Sequence, residues 1–109
     1  MYRGTIYRMA IQRGSGDPAL LILVSLSDGP KHGYAITRDV EEQVGVRLGP
    51  GTLYGALSKL VERGLIASLP SDDRRRPYEI TAAGRAVLAD ELASWSKVVG
   101  VGRARLGWT

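Results

Sequence analysis

The chain contains no cysteine and a single histidine, His32. Disulfides, thiol nucleophiles and thiolate metal sites are excluded, and one imidazole cannot by itself supply a zinc-type cluster. Long apolar runs are missing as well. No stretch approaches the roughly 18–20 residues that a bilayer-spanning helix needs, and Met1-Tyr2-Arg3-Gly4-Thr5 lacks the apolar block of a signal peptide, so a soluble, cytoplasmic protein with no membrane partner is expected. The sequence has no G-x-S-x-G elbow, no P-loop and no dinucleotide fingerprint, which argues against an enzyme and against a bound cofactor. Its 109 residues suffice for one hydrophobic core but not two.

What charge there is lies unevenly. Net charge is +4, yet residues 1–16 carry Arg3, Arg8 and Arg13 without an acid, and residues 92–109 carry Lys97, Arg103 and Arg105 without an acid. The middle, residues 17–91, holds nine basic and eleven acidic residues, a balance of −2. An anion-binding surface in that middle must come from local clustering, and Arg74-Arg75-Arg76 is such a cluster.

Arg13-Gly14-Ser15-Gly16 reads as a hinge after a basic N-terminal arm or short helix over 1–16. Asp17-Pro18 then starts a helix, with a carboxylate to accept orphan N–H groups and a proline that loses no needed donor. Its run Ala19-Leu20-Leu21-Ile22-Leu23-Val24 suits burial on most sides, and Asp28-Gly29-Pro30 stops it. A second helix spans about His32 to Val44, with Tyr34, Ile36 or Thr37, Val40 and Val44 on one face. The third begins at Gly49-Pro50 and ends at Arg63-Gly64. Leu53, Leu57, Leu60 and Val61 form its apolar stripe, leaving Gly51, Thr52, Gly55, Ser58, Lys59 and Glu62 on the opposite side. Two short β-like segments, Leu65–Leu69 and Pro77–Ile80, flank the arginine turn as a hairpin. Thr81 caps a last helix over 82–99, in which Leu88, Leu92, Trp95 and Val99 fall on a strip about 60° wide, the width of a helix-pairing seam. Gly100, Gly102 and Gly107 predict a flexible tail over 100–109.

Three helices followed by a hairpin make a mainly α fold, the winged helix-turn-helix, over residues 17–81, in which the third helix enters the DNA major groove and the hairpin is the wing. Three stretches resemble the PadR-like transcriptional regulators: Gly29-Pro30-Lys31-His32-Gly33-Tyr34, Gly51 through Ile66, and Arg75-Arg76-Pro77-Tyr78-Glu79-Ile80-Thr81-Ala82-Ala83-Gly84-Arg85. The resemblance covers roughly residues 17–95. It implies a homodimer that binds operator DNA, usually represses, and often releases it on binding a small molecule. Gly55 departs from the proline common in the family, and the C-terminal portion is short.

The resulting DNA-contact candidates are Tyr34, Thr52, Tyr54, Gly55, Ser58, Lys59, Arg74, Arg75 and Arg76. Hydroxyls and the lysine suit phosphates or base edges, and guanidinium groups suit phosphate or the minor groove. On periodicity alone, Tyr54 fits core packing as well as phosphate contact; in the family the matching tyrosine faces DNA. Gly55 fits either close backbone approach to the duplex or a tolerated helix defect. His32 reads as a cap or surface residue. Leu88, Leu92, Trp95 and Val99 are the expected dimer interface, and Trp95 is also where a small aromatic inducer would stack. The competing function is a winged-helix module that binds an acidic protein rather than a DNA sequence.

Overall fold

The computed structural model describes residues 16–72 and 74–108; the basic arm expected over 1–16 lies, but for Gly16, outside the described residues. The elements are α1 (Pro18–Leu26), α2 (Gly33–Val44), α3 (Pro50–Glu62), β1 (Ile66–Ser68), β2 (Tyr78–Ile80) and α4 (Ala82–Arg105). In α1 the Asp17 carboxylate accepts from the Ala19 N–H at 3.1 Å, and Pro18 occupies the first turn. Leu21, Ile22, Leu23 and Leu26 are buried, so this helix is the centre around which the others pack. Gly29, at φ 147°, turns the chain out of it in a conformation that side-chain-bearing residues rarely adopt.

α2 buries Gly33, Ile36 and Val40 and leaves Tyr34 and Val44 outside, so only part of its expected face is core. α3 buries Leu53, Leu57 and Leu60, whereas Val61, expected on the same stripe, is exposed. Consecutive helical residues point about 100° apart, and with Leu60 turned inward Val61 is carried to the edge. The hairpin pairs Ile66 with Ile80, Ala67 with Glu79 and Ser68 with Tyr78, and its two isoleucines face the core. Lys31, just before α2, adds a bridge that the sequence did not suggest. Its backbone exchanges two hydrogen bonds with Tyr78, of 3.1 and 2.9 Å, and so ties the wing to the start of α2. The Lys31 ammonium bonds to the Ser25 carbonyl and to the Asp28 carboxylate. Its bond to Asp28 holds that carboxyl below its ordinary range.

The root of α4 is fixed by several contacts. Thr81 Oγ1 accepts from the Gly84 N–H at 3.0 Å and donates to the Gly64 carbonyl at 2.7 Å, while the Thr81 N–H donates to the Leu65 carbonyl at 3.1 Å. Gly84 is buried so tightly that a Cβ there would lie 2.1 Å from the Leu65 carbonyl oxygen.

Two expectations for this helix are corrected. Leu88 is 7% exposed and belongs to the core of its own subunit, because it lies one turn beyond Gly84, where α4 still rests on the body. The helix also continues through Gly100 and Gly102 to Arg105, so the expected loose tail is helical over most of its length. It closes with a Schellman motif: Trp108 N–H donates to the Arg103 carbonyl at 2.7 Å and Gly107 N–H to the Ala104 carbonyl at 3.1 Å, with Gly107 at φ 77°. Arg103 and Arg105 in the last turn complement the negative end of the helix dipole, and the Arg103 guanidinium lies 5.9 Å from the Trp108 ring centroid.

Candidate nucleic-acid interface

α3 presents Thr52, Tyr54, Gly55, Ser58 and Lys59 to solvent, as its apolar stripe requires. These residues are divided between two flanks. Thr52, Gly55 and Lys59 form one wall of a groove of about 460 Å³ whose other wall is Asp17, Pro18 and Ala19 at the start of α1. Tyr54 lies on the other flank, toward α2 and the wing. Its ring covers the first residue of α2: a Cβ on Gly33 would come 2.8 Å from the Tyr54 hydroxyl oxygen. Gly33 is therefore a residue that places Tyr54, and sequence reading missed that role. The ring is still half open, at 52% exposure.

On this flank lie the three wing arginines. Arg74, Arg75 and Arg76 line a cleft of about 280 Å³ together with Tyr34 and Tyr54. His32, Gly33 and Tyr78 complete it. The Lys31–Tyr78 bridge explains why a hairpin tip and a helix start, distant in sequence, meet here. Tyr34 also stands beneath Arg38, whose guanidinium is 6.0 Å from the ring centroid and bonds to Glu42 at 2.9 Å. Glu42 first, then Tyr34, hold that guanidinium above its ordinary pKa.

The helix termini differ in a way that matters electrostatically. α1 and α4 are capped by the side chains of Asp17 and Thr81, whereas the N-caps of α2 and α3, His32 and Gly49, contribute no capping side-chain bond. Neither α2 nor α3 carries an acid in its first turn. The first N–H groups of α2 and α3 are thus left without a side-chain cap.

Of the predicted contact residues, Tyr34, Tyr54 and the arginines share one cleft, Thr52, Gly55 and Lys59 share the groove, and Ser58 lies on the exposed helix between. On α4, Leu92 and Val99 are exposed, Trp95 is half-buried, and Leu88 is removed from the strip as described. No helix among the described residues is long and apolar enough to cross a membrane.

Three helices and a two-stranded wing define the class as winged helix-turn-helix. Residues 22–90 match the Transcriptional regulator PadR-like family. A protein of 37.1 kDa from a Streptomyces fradiae transposon is 44% identical over 86 residues, which are 79% of this chain and 25% of that protein; the chain spans a quarter of that relative's length. A transcriptional regulator of Mycobacterium tuberculosis is 37% identical over 75 residues, covering 66% of this chain and 69% of the other. Among solved structures, a PadR family transcription regulator from Clostridium difficile superposes with a TM-score of 0.74 at 28% identity, over 82% of this chain and 97% of that one. The chain belongs to the PadR-like family of transcriptional regulators.

Proposed function

We propose that the chain is a sequence-specific DNA-binding repressor that acts in the cytoplasm as a homodimer on a pseudo-palindromic operator. The observation that carries this reading is the meeting of Tyr34, Tyr54 and three wing arginines in one cleft beside an open α3 face. In this reading Thr52, Ser58 and Lys59 meet base edges or phosphates in the major groove, and Gly55 lets the helix backbone come close. Arg74, Arg75 and Arg76 hold the adjacent phosphates or enter the minor groove.

The strip on α4 supplies the dimer contact. Without Leu88 it consists of Leu92, Trp95 and Val99, and because the helix continues, Leu106 at its C-cap falls on the same side at about 100° per residue. Symmetric pairing through this strip sets two α3 helices about 34–36 Å apart, one turn of DNA. A small aromatic inducer stacking on Trp95 would act by favouring a different spacing, which requires unequal affinity for the two arrangements.

Selection of bound duplexes from a random pool tests the proposal. An enriched inverted repeat with half-sites one helical turn apart is expected. Recovery of unenriched sequence would overturn it.

A further inference from the structure

We infer that His32 is a phosphate-contact residue: its Nε2–H donates to an oxygen of a DNA backbone phosphate seated in the cleft between the first turn of α2 and the arginine wing. The inference rests on the DNA-binding reading above and adds to it a residue that the sequence assigned only to a cap or the surface. His32 does not serve as a side-chain cap, since no bond runs from its imidazole to the first turn of α2. It lines the cleft with Tyr54 and the three arginines. Its Nδ1 is sealed from solvent without a hydrogen-bond partner.

The sealed nitrogen decides the tautomer. A neutral imidazole has one N–H and one lone pair, and a proton on Nδ1 would be stranded there with no acceptor. The proton belongs on Nε2, the polar atom left to the open part of the ring. That N–H sits in a setting suited to an anion: three guanidiniums, the uncapped start of a twelve-residue helix and no acid in its first turn. Phosphate fits better than carboxylate, because its additional oxygens can accept from the imidazole, the first-turn N–H groups and an arginine fork together. The nearby Lys31 is engaged with Asp28 and the Ser25 carbonyl and is not required.

The single histidine makes the test direct. In the full chain labelled with nitrogen-15, the imidazole signals are recorded as duplex DNA, inorganic phosphate or polyglutamate is added. Duplex affinity across a salt series is measured for wild type, His32→Ala and His32→Gln, with thermal unfolding as the fold control. We expect duplex to move the Nε2 signal. A matching shift with inorganic phosphate assigns the site to the phosphate group from either source, and a shift with duplex alone assigns it to the DNA backbone. His32→Ala should weaken duplex binding roughly tenfold without changing the salt slope, since no cation is removed, and His32→Gln should stay close to wild type. Unmoved imidazole signals with unaltered affinity in His32→Ala would overturn the inference while leaving DNA binding intact. So would a salt slope flattened by His32→Ala, or an equal response to polyglutamate. Failure of the wild-type chain to bind any duplex would instead overturn the function proposed above.

Discussion

Glycine identity carries three different meanings along this chain. At Gly84 the reason is internal, because a methyl group would collide with the Leu65 carbonyl oxygen. Gly84→Ala should therefore destabilise the fold by roughly 2–3 kcal/mol in denaturant unfolding, although alanine ordinarily improves a helix. Gly33 is milder in kind, since its neighbour is the far end of the half-exposed Tyr54 side chain, which can shift, rather than backbone. Gly55 is the reverse: a Cβ there meets nothing within 4 Å. Gly55→Ala is expected to raise stability by about 0.5–1 kcal/mol while weakening duplex binding, so opposite signs in unfolding and affinity measurements identify a position kept bare for a partner. The role of Gly55 was one of two readings the sequence offered, whereas those of Gly33 and Gly84 were not legible, because the atoms that crowd them come from residues far along the chain. Gly64 could be read, because the need is local: it follows Arg63 at the end of α3 and takes φ 76°.

At the scale of elements, starts and ends were easier to read than contacts, the end of α4 excepted. Asp17-Pro18, Gly49-Pro50 and Thr81 mark helix starts by chemistry within two or three residues, and all three stand where expected. The end of α4 was misplaced because a glycine costs a helix only about 1 kcal/mol, too little to break one that finds its closure at Gly107. The wing itself was legible from two β-like segments around an arginine run, but its attachment to Lys31 was not, since a single backbone bridge leaves no pattern in side chains. That attachment is what turns a charged loop into one side of a cleft. Replacing Arg75 and Arg76 with alanine should lower affinity for every duplex alike. It should also flatten the slope of log affinity against log salt by about 0.9 for each phosphate that the wing no longer neutralises. An unchanged slope would separate the wing from the phosphates.

For the whole molecule, which spans 53 × 28 × 25 Å, the largest fact is the length of α4 against a small body. Only Gly84 and Leu88 of its 24 residues are buried, and Leu92, Val98, Val99 and Val101 stand in solvent. Leu92→Glu with Trp95→Lys should leave the core intact, because neither side chain is part of its cluster, while unfolding loses its dependence on protein concentration, sedimentation shows a monomer and operator affinity falls steeply. Persistence of a dimer would move the seam elsewhere. Leu88 is left out of this experiment because altering it would damage the core.

Because the buried residues of α4, Gly84 and Leu88, both lie in its first two turns, the helix has the geometry of a lever with its fulcrum at Leu88. From there to Arg105 it runs about 25 Å, so a tilt of about 10° at the fulcrum swings the far end by about 4 Å. That travel exceeds the roughly 3.4 Å rise of one base along a DNA strand. In the proposed dimer, a rearrangement too slight to disturb the packing around Gly84 would thus be enough to put the pair one step out of phase with its operator.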